Sequence, residues 1–371
     1  ELSDVCEDAD PFELSAGSPS GGTYSGTGVS SGTFYPGDAG AGTFLIKYTY
    51  TDANGCTNSD STQITVNALP DVNVNDFADI CFDSDPVTLS GGTPADGTYS
   101  GTGVSGGVFY PENSGSGTFT IYYEYTDENG CTNIDSAQIK VHPLPDVTSA
   151  TFSPVCEDAE SFTLTEGTPA GGTYSGSGVG ANNLFNPSTA GVGTHSLTYT
   201  FEVEETSCVG WDTTSITVNA LPSVTMSELS DVCEDADPFE LSAGSPSGGT
   251  YSGTGVSSGT FYPGDAGAGT FLIKYTYTDA NGCTNSDSTQ ITVNALPDVN
   301  VNDFADICFD SDPVTLSGGT PADGTYSGTG VSGGVFYPEN SGSGTFTIYY
   351  EYTDENGCTN IDSAQIKVHP L

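Results

Sequence analysis

Ten cysteines keep a fixed beat along this chain: Cys6 and Cys56, Cys81 and Cys131, Cys156 and Cys208, Cys233 and Cys283, Cys308 and Cys358. Each pair encloses about fifty residues, and successive pairs begin 75, 75, 77 and 75 residues apart. A second rhythm lies over the first: residues 1–144 recur without a change as residues 228–371, an offset of 227. With three module types named A, B and C, the chain reads A-B-C-A-B, with bounds 1–72, 73–147, 148–226, 227–299 and 300–371. This repeat overrides the length prior that would divide 371 residues into two or three ordinary domains. The series stops mid-pattern, as expected of a window from a longer polymer.

Modules of this size bury a modest share of their surface, so their cores need support. An even cysteine count at regular spacing favours disulfides and an oxidising, extracellular setting. The simplest expectation is one bond inside each module, joining its leading cysteine to its second. Closing a loop of about 50 residues adds about 4 kcal/mol in the chain-entropy estimate. Zinc would need closely spaced ligand pairs; no C-x-x-C exists, and His142, His195 and His369 are scattered.

Charge excludes several partners. Against 49 acidic residues stand four basic ones, a net charge of −45. Such a surface repels nucleic acid and anionic membranes, which are bound through cations this chain lacks. No apolar run reaches the length of a membrane span and no signal peptide is present, so export is expected to be directed from outside this window.

Helical periodicity is absent, and Gly, Thr, Ser and Pro punctuate the chain every eight to twelve residues. Thr43 to Tyr50 alternates as a strand, with Phe44, Ile46, Tyr48 and Tyr50 on one face and Leu45, Lys47 and Thr49 on the other. Phe119, Ile121, Tyr123 and Tyr125 repeat this in module B. His195, Leu197, Tyr199 and Phe201 do so in module C, where the histidine is expected to cap the sheet edge. Asp52-Ala53-Asn54-Gly55 then predicts a hairpin turn into a strand from Thr62 to Asn67. Shorter strands begin at Pro11, Gly22 and Gly32. Six or seven strands in 72 residues predict an all-β tandem array of five immunoglobulin-like sandwiches. Short linkers carrying Pro70, Pro145, Pro222 and Pro297 predict end-to-end stacking as a semi-stiff rod, roughly 35 Å per module.

Several spaced motifs in module A belong together: Val5-Cys6, Pro11 to Leu14, Gly21 to Val29, Phe34-Tyr35-Pro36, Ala39 to Thr43, Tyr50 to Cys56 and Thr65 to Pro70. The set resembles immunoglobulin-like repeats of giant secreted surface proteins of Bacteroidota, and the likeness covers all five modules. Module C departs from it: Glu202 to Ser207 replaces the T-D-x-N-G turn, and Trp211 follows the second cysteine. The resemblance implies export by the type IX secretion system and service as an adhesin, a gliding-motility adhesin or a surface stalk. It also implies O-glycosylation of Asp-Ser/Thr triplets, which places sugar on Ser61, Ser136, Thr213, Ser288 and Ser363. The plainer reading is that these triplets begin a strand.

Acidic residues crowd each module's start and turn, so Asp52, Asn54, Asp79, Asp83 and Asp127 are candidate calcium ligands. No complete twelve-residue calcium loop is present, and the alternative is a solvated acidic surface. Gly101 to Gly106 matches G-x-G-x-x-G, but the next residues read as a strand rather than the helix a dinucleotide needs. No histidine occurs in either A module, so no Ser-His-Asp arrangement is common to the repeats. Lys47 and Lys140 lie on different strands and module C has no lysine, so an isopeptide cross-link is not a general device here. Trp211 is the one aromatic residue placed to meet a sugar.

The expectation is a non-enzymatic spacer or stalk of a secreted cell-surface adhesin or extracellular filament, without cofactor unless calcium. Its partners would be a surface or glycan ligand, or other copies associating laterally. The alternatives are a multivalent glycan-binding array and a spacer region of a secreted polysaccharide-degrading enzyme.

Overall fold

The computed structural model describes residues 2–371, and its regular structure is almost entirely β. Module A sets the pattern. Its strands are β1 (Val5–Cys6), β2 (Phe12–Glu13), β3 (Thr23–Ser25), β4 (Val29–Ser30), β5 (Thr33–Phe34), β6 (Gly42–Thr51) and β7 (Thr57–Asn67). They form two sheets, β1-β7-β6-β3 and β2-β5-β4. Four strands facing three in this order is the immunoglobulin-like sandwich.

The long hairpin β6–β7 is the frame, in register from Gly42 opposite Val66 to Thr51 opposite Thr57. Strict alternation decides which side of it faces inward. Ile46 is buried between its half-buried neighbours Phe44 and Tyr48, while Leu45 stays exposed. The core is Leu14, Phe34, Ile46, Ile64 and Val66, and it draws on both sheets. A single helical turn, α1 (Pro36–Ala39), joins the sheets; proline opens it, and Gly40 at φ +73° ends it. The four-stranded sheet recurs in all five modules, whereas module C reduces the smaller sheet to Phe162–Thr163 and Leu184–Phe185.

A tyrosine on the long hairpin clamps the loop that precedes β3 or its counterpart. In module B the Tyr123 hydroxyl donates to Pro94 O at 2.6 Å and accepts from Gly97 N at 2.7 Å. Only glycine fits at position 97, because a Cβ there would stand 2.4 Å from the tyrosine ring and 2.5 Å from Glu124 O.

The disulfides correct the sequence expectation. Cys6 pairs across the sheet with Asn67, the last residue of β7, while Cys56 immediately precedes Thr57, its first. An eleven-residue strand separates them by about 35 Å. The Cα atoms of bonded cysteines stand 5.5–5.6 Å apart, so the bond within a module is geometrically impossible. Each leading cysteine instead bonds the turn cysteine of the next module. The pairs are Cys6–Cys131, Cys81–Cys208, Cys156–Cys283 and Cys233–Cys358, which leaves Cys56 and Cys308 as exposed thiols. Each bond closes a loop of 125 or 127 residues, for which the chain-entropy estimate is about 5 kcal/mol.

Two compact units result. One comprises Glu1–Thr151, Thr163–Leu184 and Ser196–Ser215 and holds the first two disulfides; the other comprises Phe152–Phe162, Phe185–His195 and Ile216–Leu371 and holds the other two. The staggered pairing has a direct chemical check. Alkylation of the native oxidised chain is expected to add two labels, on Cys56 and Cys308, where pairing inside modules would leave no thiol at all. The four bonded turn cysteines, Cys131, Cys208, Cys283 and Cys358, are fully buried, so they stay unlabelled.

Candidate functional site: the junction between modules

The junction between the first two modules is assembled from three segments. The first is the linker. Pro70 O accepts from the side-chain amide of Asn133 at 2.8 Å, which ties the linker to the far strand of module B. Asn73 then exchanges backbone hydrogen bonds with Thr93 at 2.8 and 2.9 Å. Val74 N donates to Asp135 Oδ2 at 2.8 Å.

The second segment runs the length of the module. Phe77 N donates to Gln138 O at 2.9 Å, and Ile80 and Cys81 lie parallel to Val141 and His142. This course carries a leading cysteine away from its own turn and delivers it to the next module.

The third segment is the turn that receives the bond. Asp127 Oδ1 accepts from Asn129 N at 2.9 Å and from Cys131 N at 2.8 Å, and Gly130 takes φ +80°. The carboxylate thereby fixes the backbone of the cysteine that Cys6 must reach. The backbone N–H of Cys131 holds the Asp127 carboxyl below the usual aspartate range, against a smaller opposing desolvation. Asp52 is lowered in the same way by Cys56 N and Asn54 N. A carboxyl depressed in the folded state stabilises above its unfolded pKa and loses that contribution as pH falls through the folded value. Carboxyl NMR titration is therefore expected to show Asp52 and Asp127 protonating below the usual aspartate range as acid is added. Ordinary titration at both would contradict the turn geometry.

The same parts recur at the other junctions. Asn285 and Asn360 donate to Pro222 O and Pro297 O, each at 2.9 Å. Ser149, Met226 and Val301 donate their N–H to Asp212, Asp287 and Asp362, each at 2.8 Å. Module C replaces the asparagine by Gly210, where an added Cβ would lie 2.5 Å from Pro145 O.

These contacts give the Asp-Ser/Thr triplets a structural reason. Asp135, Asp212, Asp287 and Asp362 anchor the incoming segment, and the hydroxyls of Ser61, Ser136, Thr213, Ser288 and Ser363 all lie on exposed strand positions. Sequence reasoning noticed the triplet but missed its anchoring role. The visible signal was an asparagine two residues before each of these aspartates in modules A and B.

The candidate calcium ligands are dispersed. Asp52 and Asn54 share the turn of module A, Asp127 holds the equivalent turn of module B, and Asp83 is exposed beside Cys81. Asp79 Oδ2 lies 2.9 Å from His142 Nε2. Among the described residues no group of three or more His, Cys, Asp or Glu side chains is placed to hold a metal ion. His195 Nε2 lies 2.7 Å from Gly191 O at the start of its strand, and Trp211 is 67% exposed. Gly101 to Gly106 turns between the short strands Thr98–Gly101, Val104–Ser105 and Val108–Phe109, with no helix at its end. Among the described residues no helix is long and apolar enough to cross a membrane.

No family model and no curated protein matches the chain. Solved structures do. One is a Ca2+-stabilized adhesin that helps an Antarctic bacterium reach out and bind ice, 16% identical over 96% of this chain and 100% of that one, at TM-score 0.30. The insect immune protein hemolin is 13% identical over 80% of this chain and 99% of its own, at 0.23. The human desmocollin-1 ectodomain is 12% identical over 99% and 97%, at 0.22.

Proposed function

We propose that this chain is a structural spacer, a stalk segment of a secreted cell-surface adhesin or extracellular filament, and that it catalyses nothing. The staggered disulfide carries this reading. A bond within a module would stabilise that module alone. A bond from every module to its successor passes tension covalently through the array, which serves a tether and does nothing to shape a pocket.

Other features agree. Disulfides suit an oxidising exterior. The net charge of −45 keeps neighbouring copies apart, and an unchanged 144-residue repeat supplies length without variety. The finer reading, a surface adhesin of the type IX-secreted kind found in Bacteroidota, rests on the spaced motifs alone, as does sugar on the five exposed hydroxyls.

Excision tests the spacer directly. Removing residues 73–299 rejoins an A module to a B module through the original junction sequence. In the surface-displayed protein this is expected to shorten the reach of the filament and leave attachment strength unchanged. On a glycan array the 371-residue chain is expected to show no saturable binding. Binding that grows with module number would replace the spacer by a multivalent array.

A further inference from the structure

Module C fills one small cleft with a side chain of its own, at a position where the other modules carry glycine. Tyr174 N donates to Asn183 Oδ1 at 2.8 Å, and Asn183 Nδ2 donates to Gly172 O at 3.1 Å. One carboxamide thus meets a donor and an acceptor at the outer edge of the strand Thr173–Gly176. Asn183 O also accepts from Leu164 N at 2.9 Å. The carbonyls that accept from the equivalent leucines, Leu14, Leu89, Leu241 and Leu316, belong to Gly32, Gly107, Gly259 and Gly334. These five residues all take left-handed φ, from +59° at Asn183 to +84° at Gly32, a conformation that glycine and asparagine adopt most readily.

In the second A module the glycine borders a cleft of about 390 Å3, lined by Glu240, Ser242, Ser247, Gly249, Tyr251 and Gly259, among others. Tyr251 stands opposite Tyr275 as Tyr174 stands opposite Tyr199. Its N–H and the carbonyl of Gly249 therefore face this cleft as Tyr174 N and Gly172 O face Asn183. A Cβ added at Gly259 would meet nothing within 4 Å, and the same holds at Gly32, Gly107 and Gly334. The backbone pair is present, and the side chain that answers it in module C is not.

We propose that the cleft over Gly259 is a binding site for a primary carboxamide, the group that a glutamine or asparagine side chain carries. Tyr251 N donates to its oxygen, and its nitrogen donates to Gly249 O, the arrangement that Asn183 makes within module C. Close analogues fail on chemistry. A carboxylate has no N–H for Gly249 O, and it brings a further negative charge beside Glu240 in a chain of net charge −45. A trans secondary amide, as in an N-acetyl sugar, points its N–H and C=O in opposite directions and cannot meet both groups. The site lies inside one module, so it stands independently of the spacer reading.

The probe is the peptide acetyl-Gly-Gln-Gly N-methylamide, titrated into the oxidised 371-residue chain and followed by ligand-observed NMR. Saturable binding is expected, and the glutamate counterpart is expected to bind roughly tenfold more weakly or worse, having lost one hydrogen bond and gained a repulsion. Propionamide, run beside the peptide, distinguishes a free amide from a side chain, since equal affinity would mean that the carboxamide alone is read. The combined variant Gly32→Asn, Gly107→Asn, Gly259→Asn and Gly334→Asn copies module C and is expected to lose binding while keeping the parent's urea midpoint. Asn183→Gly opens the cleft in module C and is expected to add one site per chain. Absence of saturable binding at millimolar peptide overturns the proposal. So does equal binding of the glutamine and glutamate peptides, which would mark strand addition through the peptide backbone, or binding that survives in the combined variant.

Discussion

Pulled from both ends with its disulfides intact, the chain is expected to stop extending at about a quarter of its backbone length, even after every module has unfolded. The covalent path between the ends does not follow the sequence. It runs to Cys6, crosses to Cys131, continues to Cys156, crosses to Cys283, returns to Cys233, crosses to Cys358 and ends at Leu371. That path contains about 90 residues, on the order of 300 Å when taut, against about 1,300 Å for the whole backbone. Force spectroscopy reads the difference as contour length. With Cys56 and Cys308 alkylated first to prevent exchange, the oxidised chain should reach the short limit and the reduced chain the long one. An oxidised chain that extends to the long limit would exclude the staggered pairing and the tether built on it.

Substituting Phe109→Ala is expected to destabilise the first B module by roughly 3–5 kcal/mol, the range for deleting a large buried aromatic. Phe109 is fully buried where the smaller sheet meets the long hairpin, with Leu89, Ile121, Ile139 and Val141 around it. Urea denaturation followed by tyrosine fluorescence should show the substituted module unfolding ahead of the others. A midpoint unchanged from the parent chain would mean that the ring does not organise this core. The staples on either side keep the unfolded module from lengthening the chain, so the same variant should leave the taut limit unaltered.

The sandwich itself was legible because its long strands alternate cleanly. Phe44, Ile46 and Tyr48 against Leu45 and Lys47 define a strand with one buried face, and Asn54-Gly55 marks the reversal. The observed strand Thr57–Asn67 begins five residues before the predicted Thr62, because exposed Asn58, Ser59 and Asp60 carry no alternation to read. Disulfide partners were not legible. Regular spacing within a module resembles loop closure, and nothing local in Val5-Cys6 reveals that this two-residue strand pairs with Val66 and Asn67, at the end of β7 away from Cys56. The structural roles of two aspartates were hidden for a related reason. Asp127 is engaged by the turn's N–H groups and Asp135 by the incoming segment. Both are local backbone demands that composition does not expose.

The overlap of the loops also governs how the molecule meets a protease. Between Cys6 and Cys358 every peptide bond lies inside at least one closed ring, because each ring begins before its predecessor ends. A single nick anywhere in that stretch opens a ring without parting the molecule. Separating the two ends takes at least three cuts, or one cut and a reductant, so the oxidised chain stays covalently continuous from end to end after a second hydrolysis as well as a first.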